Sequence, residues 1–366
     1  MAFLNRGADS WVCPVCLRRI TRADIAFRCV RGRCGGGRRL SAADPLLPAA
    51  LCDSCGRTTS RPHCGRCDER LPEGYLRDRS RVVVLAGPAG SGRSTFTAVA
   101  LNELRHRLGE ELGMSLLPCD DRTATDVRRL YEQPLYEDAR LLPAAHPPGS
   151  PRPLVHRLSR RTGRRERALT FVLLDTSDRQ FAAGEPAEGE LRMLAGADAV
   201  VLLLDPRDLP GAVPRPAGRA PTAGSAQVVD RVLDRLRTAG SGSLDRGRIG
   251  IPVAVAVAKL DLVTPQLPPN SPLHRVRSPG PGFDAVDRSA VDTELRALLA
   301  LWQSDGIDQR LREACADCQL FAFSALGVAP RGDAVPPGGP RPHRVEDPLL
   351  WLLHRFGLLD RAGRGR

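Results

Sequence analysis

The sequence predicts an α/β protein, a doubly wound sheet preceded by a small cysteine-rich module. Three observations carry that reading. Strand-length apolar runs alternate with amphipathic stretches from residue 81 onward, a glycine-rich turn follows the first run, and eight of the 11 cysteines fall before residue 68. A chain of 366 residues is long enough for one full α/β domain with an accessory module. The expected division is a module over 1–72, a linker over 73–80, the sheet domain over 81–360 and a tail over 361–366.

The cysteines come first, as "CPVC" (Cys13, Cys16), "CVRGRC" (Cys29, Cys34), "CDSC" (Cys52, Cys55) and "CGRC" (Cys64, Cys67). Close pairs let two thiolates converge on one cation, and two pairs complete a tetrahedral Zn²⁺ shell. Eight thiols therefore predict two zinc ions. The segment is rich in Gly and Arg and poor in large apolar residues, so without such a staple it has little to fold around. The sequence leaves open which pairs share an ion, and His63, beside Cys64, is a spare ligand. Zinc ribbons serve as nucleic-acid readers, as protein-docking knobs and as folding staples. "RGRCGGGRR" at 31–39 suits phosphates, or is a solvated arginine loop.

After the linker "LPEGYLRDRSR", strand "RVVVLAG" runs into the glycine turn and a helix from about Ser94 to Leu108. Strand "LVHRLSRR", turn "TGRRER" and strand "ALTFVLLD" follow, the last ending at Asp175. "ADAVVLLLD" ends at Asp205 and "IPVAVAVAKLD" at Asp261, while "CQLFAFSAL" precedes a closing helix "DPLLWLLHRFGLL". Helix "AQVVDRVLDRLRTAG" places Val228, Val229, Val232, Leu233 and Leu236 on one face, as a helix covering a sheet does.

Chemistry gathers at the carboxyl ends of these strands, where open α/β sheets bind ligands. The turn fits G-x-x-x-x-G-K-[ST] with Gly87, Gly92 and Ser94 in register, but Arg93 stands at the lysine position. Gly87, Gly90, Ser91, Gly92, Arg93, Ser94 and Thr95 form the expected phosphate cradle, with the Ser94 hydroxyl and Asp175 as Mg²⁺ ligands. In "AKLD", an [NT]-K-x-D element, Lys259 would stack on a base and Asp261 would accept two donors from guanine. "FSAL" offers Ser324 and the Ala325 backbone to the guanine carbonyl.

In these residues and their order, the chain over about 81–360 resembles the Ras-like P-loop GTPases. More narrowly, zinc-binding cysteine pairs before a divergent GTPase domain, with "LLLDPRDLP" after a core strand, resemble the bacterial double-GTPase-type proteins of conflict systems. The resemblance implies GTP or GDP with Mg²⁺ as ligands. It also exposes departures. In the family's D-x-x-G element the glycine contacts the γ-phosphate, yet here "DTSD" puts Asp178 there, where a carboxylate repels a polyanion. Arg179 replaces a water-positioning residue, Gln180 comes one position late, and "LLPAAHPPGSPRP" holds no switch threonine. Hydrolysis is expected to be slow or absent.

Composition restrains further inference. The net charge of +12 and pI near 9.7 would ordinarily point to nucleic acid, but the basic residues are spread along the whole chain. Only one of the 54 is a lysine, Lys259. A lysine surviving wholesale replacement by arginine marks a place where arginine fails, and Arg93 marks one where it is tolerated. No stretch approaches the roughly 18 apolar residues of a membrane span, and no signal-peptide pattern opens the chain. A cytoplasmic protein without membrane contact is expected, whose paired cysteines are then metal ligands rather than disulfides.

Smaller signals are assigned structural roles: Cys315 and Cys318 pack at a helix end, and Cys119 is structural. The proline-rich stretches 207–224, 263–282 and 328–345 are read as disordered or partner-contacting, with composition favouring disorder. The leading expectation is a guanine-nucleotide switch with a two-zinc interaction module. The alternative is a non-enzymatic adaptor on a degenerate GTPase fold, its zinc module binding protein or nucleic acid, and an ATP-using enzyme is disfavoured by "AKLD" and "FSAL".

Overall fold

The structure is a computed structural model, and it describes residues 10–29, 34, 50–52, 54–59, 61–72, 74–143, 153–176, 188–213, 224–240, 245–277, 280, 282–330 and 332–361. The amino-terminal module is built from short strands that pair in twos. They are β1 (Ser10–Val12) with β2 (Arg19–Thr21), β3 (Ile25–Phe27) with β6 (Pro62–Cys64), and β4 (Ala50–Leu51) with β5 (Thr58–Thr59). Two-stranded ribbons this short are not stable alone, so something else must fasten them.

The sheet domain follows with β7 (Arg79–Ala86), α1 (Arg93–Arg105), α2 (Arg107–Leu112), β8 (Met114–Pro118) and α3 (Asp121–Asp126). Then come β9 (Leu154–Thr162), β10 (Arg165–Asp175), α4 (Glu188–Gly196), β11 (Ala199–Leu204) and α5 (Ser225–Thr238). The chain ends with β12 (Val253–Val257), α6 (Ala285–Leu301), α7 (Asp305–Ala314), β13 (Cys318–Ala322) and α8 (Asp347–Arg355). Seven strands form one mixed sheet in the order β13-β12-β11-β7-β10-β9-β8. The first five run parallel, and β9 and β8 are antiparallel to their neighbours.

Alternation along the strands divides the core into two layers. Val82, Val84 and Ala86 of β7 face α4, α5, α6 and α7, while Val83 and Leu85 face α1, α2 and α8. Central parallel strands buried on both faces read as unbroken apolar runs, which is why "AVVLLL" and "VAVAV" were recognisable. The five predicted helix-facing positions of α5 are all buried. Edge strand β8 was not foreseen: it is short, with Met114 and Leu116 inward and Ser115 and Leu117 outward. The helical stretch Val127–Glu137, wound wider than an α-helix and containing Pro134, was also missed, because a proline inside a helical pattern argues against a helix.

Disorder is corrected for two of the three proline-rich stretches. Within 263–282 and 328–345, the described residues include short turns at Thr264–Gln266 and Pro272–His274 and buried Leu267, Leu273, Val335 and Val345. Proline presets the backbone for these turns, and the apolar residues between them supply the packing. Positions 214–223 of the third stretch lie outside the described residues. Cys315 ends α7 and is buried, in keeping with helix-end packing.

The module is seated on the amino ends of the parallel strands. Its Trp11, Val12, Ile20, Phe27 and Leu71 join the same apolar layer as Val82 and Val200. Val12 N–H donates to Ser80 Oγ at 3.2 Å, and the Trp11 indole N–H to Asp78 O at 3.0 Å. Residues 74–80, expected as a linker, are themselves packed: Tyr75 is fully buried and its hydroxyl donates to Val12 O. Asp198, just before β11, accepts from Val82 N–H at 3.0 Å and faces Arg19 of the module at 3.6 Å.

Candidate functional site

Gly87 ends β7 with φ 155°, and a Cβ there would lie 2.8 Å from Leu203 O. Only glycine lets the turn pass so close to β11. Gly92, at φ 93°, then starts α1, and its carbonyl accepts from Phe96 N–H at 2.8 Å. The loop between is therefore held open at the amino end of a 13-residue helix, an arrangement suited to anions.

Three carboxylates stand at or just beyond the carboxyl ends of three strands, each bonded to another segment of the chain. Asp175, at the end of β10, accepts from the Ser94 hydroxyl at 2.8 Å and from Tyr131 OH at 3.4 Å. Burial, together with the Asp175 charge, pushes the Tyr131 hydroxyl far above the usual phenol range, so it remains a donor. A hydroxyl beside a buried carboxylate is the donor set a small hard cation takes, so Ser94 and Asp175 fit Mg²⁺. Asp261 accepts from Ser324 Oγ at 2.5 Å, and Ser324 in turn accepts from Gly327 N–H at 2.9 Å. Ser324, expected to reach the guanine carbonyl, here turns its hydroxyl to Asp261.

The third carboxylate, Asp205, was not among the candidate residues. It lies past the end of β11, 1% exposed, and accepts from Lys259 Nζ at 2.6 Å and from Arg207 Nε at 2.9 and 3.1 Å. Burial alone would raise its pKa, but the Arg207 hydrogen bonds and the Lys259 charge hold it below the ordinary carboxylate range. Lys259, in the left-handed region at φ 54°, also donates to Gly90 O of the glycine loop. One ammonium thus ties β11, β12 and the loop together. A compact ammonium with rotatable donors suits these two acceptors better than a planar fork, which accounts for the single lysine. Ala258 stands where the element's pattern has Asn or Thr, and the Asp205–Lys259–Gly90 link ties loop to strand beside it. The signal in the sequence was a carboxylate closing an all-apolar run, "AVVLLLD".

Arg93 has a different set of partners from those expected of it. Its guanidinium is 8% exposed and donates to Thr176 O at 3.1 Å, to Pro88 O at 3.1 Å and to Gly87 O, with Asp175 at 3.8 Å. The fork fastens the loop's own carbonyls. Asp178, Arg179 and Gln180 lie outside the described residues.

A cavity of about 470 Å³ is lined at once by Gly90, Ser91, Gly92, Arg93, Ser94 and Thr95, by Ala258, Lys259 and Asp261, and by Phe323, Ser324 and Ala325. That volume suits a small-molecule ligand. Leu141, Leu142 and Pro143 wall one side of its mouth and Leu326, Val328, Ala329 and Pro330 another. The two walls are joined, since Leu141 N–H donates to Asp333 O at 2.8 Å and Val335 N–H to Ala139 O at 3.0 Å.

In the module the eight thiols gather into two tetrads, Cys13, Cys16, Cys64 and Cys67, and Cys29, Cys34, Cys52 and Cys55. First pair joins last and second joins third, a nested arrangement. Sulfur separations are 3.7 Å for Cys13–Cys67, 3.9 Å for Cys16–Cys64 and 3.7 Å for Cys29–Cys55. Four thiolates at about 2.3 Å around a tetrahedral Zn²⁺ would stand about 3.8 Å apart. The cysteines therefore fit zinc and are far too separated for disulfides. His63 is in neither tetrad; its Nδ1 lies 3.1 Å from Asp68 O. No described helix is long and apolar enough to cross a membrane.

No known family profile matches the chain. Over 322 residues it is 27% identical to SaeC of Mycolicibacterium smegmatis, a protein named for ESX-1 scaffolding and assembly, covering 81% of this chain and 80% of that one. Among solved structures, the signal recognition particle receptor SRb-GTP/SRX complex of Chaetomium thermophilum aligns with 69% of this chain and 94% of its own, at 17% identity and a TM-score of 0.33. The cytosolic domain of the T. maritima FeoB iron transporter, in a GDP form, aligns with 78% and 66%, at 12% identity and a TM-score of 0.29.

Proposed function

We propose that this chain is a guanine-nucleotide-binding protein of the P-loop GTPase type, with slow or absent hydrolysis and a two-zinc module through which it meets a protein partner. The observation that carries the reading is the single cavity onto which the glycine loop, "AKLD" and "FSAL" all open. Any one of these elements is a weak signal alone. Their convergence at the carboxyl ends of β7, β12 and β13 is what a mononucleotide requires.

Each group then has a task. The backbone N–H groups of Gly90–Ser94 cradle the phosphates. Ser94 and Asp175 hold Mg²⁺, which when bound neutralises phosphate charge. Asp261, oriented by Ser324, accepts the ring N–H and amino group of guanine, and Ala325 N–H meets its carbonyl. Lys259, pinned by Asp205, lays its methylene stem along the base. The departures Asp178 and Arg179 argue against efficient hydrolysis. A non-enzymatic adaptor is the second reading, favoured by the capture of the Arg93 fork by loop carbonyls and consistent with the scaffolding role in the name of SaeC. A nucleic-acid partner for the module is the less supported form of it.

Calorimetric titration with GTP, GDP and ATP decides between the two. The nucleotide reading expects saturable binding of GTP and GDP with ATP much weaker. Equal affinity for ATP removes the guanine assignment, and no binding of any nucleotide leaves the adaptor.

A further inference from the structure

We infer that Arg207, on the loop after β11, supplies to the nucleotide's phosphates the positive charge that the glycine loop's own arginine does not. The inference deepens the nucleotide reading and rests on it. A phosphate loop ordinarily brings one flexible cation to its ligand. Here that position is Arg93, whose guanidinium is buried and bonded to Gly87 O, Pro88 O and Thr176 O. To turn toward a phosphate it would have to give up its bonds to Gly87 O and Thr176 O in a buried site, while Pro88 O would keep the Ser91 N–H at 3.1 Å, and a ligand contact would first have to offset that cost.

Arg207 lines the same cavity as Gly90–Thr95 and is differently placed in it. Its side chain is 31% exposed, against 8% for Arg93. The fully buried carboxylate of Asp205 grips it along one edge, taking Nε at 2.9 and 3.1 Å together with Nη2 and the Arg207 backbone N–H. That two-oxygen grip fixes the plane of the guanidinium in advance, so little side-chain freedom remains to be lost when an anion arrives. Nη2 reaches to 3.5 Å from Gly90 O, which places the charge at the rim of the glycine loop. Among the described residues none of these bonds uses Nη1, and guanidinium forks match phosphate oxygens. Asp208 stands near enough to act on Arg207 electrostatically, and its charge favours the protonated state.

The competing role is a brace: Arg207 could serve only to hold Asp205 and, through it, Lys259 at the base. A comparison of ligands separates the two. Wild-type protein and Arg207→Gln are titrated with GTP, GDP and guanosine, the last followed by ligand-observed NMR, with thermal unfolding as the folding control. A phosphate-facing Arg207 predicts that Arg207→Gln loses roughly tenfold in affinity for GTP and GDP, a change worth about 1.4 kcal/mol, while guanosine affinity stays within twofold. Arg207→Lys recovers part of the loss, since a charge remains without the fork. Equal losses for guanosine and GTP overturn the inference in favour of the brace, and unchanged GTP affinity overturns it outright. Wild-type protein that binds none of the three ligands refutes the nucleotide reading itself, a result distinct from any of these.

Discussion

The two ends of the parallel strands are finished in opposite ways. At the amino ends, the module closes on the sheet through apolar packing and a few direct hydrogen bonds, so tightly that a Cβ on Gly196 would lie 2.7 Å from Leu17 O. At the carboxyl ends, Asp175, Asp205 and Asp261 are each held by a group from another segment, and Asp261 lines the cavity that opens there. The same parallel strands thus serve a packed apolar joint at one end and an open cavity at the other. From Ser80 to Gly87 the separation is roughly 23 Å along β7, by the rise of an extended strand. The cavity and the module lie at opposite ends of the parallel strands, so the proposed nucleotide site and the proposed docking module would not compete for one surface.

Removing metal should break the amino end most completely. Structural zinc contributes on the order of 10 kcal/mol to folds of this kind, so a strong chelator should unfold the module while the seven-stranded sheet keeps its secondary structure. Elemental analysis of protein purified without chelator should find two zinc ions per chain, and circular dichroism before and after chelation follows the loss. A zinc content near one or zero would reject the two-site reading, and a module indifferent to chelator would show that packing alone holds it.

The opposite end is tested by Asp261→Asn. The amide places a donor against the guanine donors, so GTP affinity should fall about a hundredfold, equivalent to about 2.7 kcal/mol, with little change in melting temperature. A fall in ATP affinity by the same factor would mean that Asp261 supports the loop rather than reading the base. Gly196→Ala probes the packed joint itself. The added methyl meets the Leu17 carbonyl, and overpacking of this order costs roughly 1–3 kcal/mol. Protease cleavage between module and sheet domain should accelerate in that variant while nucleotide affinity holds.

The last test concerns the region between the ends. His156 in β9 is fully buried, and among the described residues neither ring nitrogen has a hydrogen-bond partner. Burial first, and then the Arg105 charge, lower its pKa from 6.5 to about 3, so it folds neutral. The unfolded chain takes up a proton below 6.5 and the folded one does not. Stability is therefore intact above that pH and declines as pH falls from 6.5 toward 3, by at most about 1.4 kcal/mol per pH unit. Unfolding midpoints of wild type and His156→Leu, measured from pH 7 to 4.5, should diverge in slope; parallel curves would assign the acid sensitivity to carboxylates.

Legibility from sequence followed the same division. Central strands were visible because burial on both faces leaves no polar punctuation, and the glycine loop because its backbone tolerates few other residues. The cysteine pairs were visible by spacing, but their nesting was not, since the choice of partner is made by tertiary folding. Asp205 and Arg207 escaped notice as site residues because their importance lies in contacts with Lys259 and Gly90, 54 and 117 positions away. The ordered proline-rich loops were misread for a related reason: composition reports the cost of ordering a segment, not the apolar seats that Leu267 and Val335 find elsewhere.

The nesting of the cysteine pairs also sets a sequence of events during synthesis. Cys29 and Cys55, of the inner tetrad, are 26 positions apart, whereas Cys13 and Cys67, of the outer, are 54 apart. The inner tetrad is complete once Cys55 has left the ribosome, and the outer must wait for Cys67. When the inner tetrad closes first, it shortens the effective loop that the outer one still has to bridge, and loop closure grows easier as loops shorten. The outer tetrad is the one whose Cys13 follows directly on Val12, the residue bonded to Ser80 at the foot of β7. Metal capture would then proceed from the periphery toward the sheet, and the joint to the sheet domain would be the last part of the module to set.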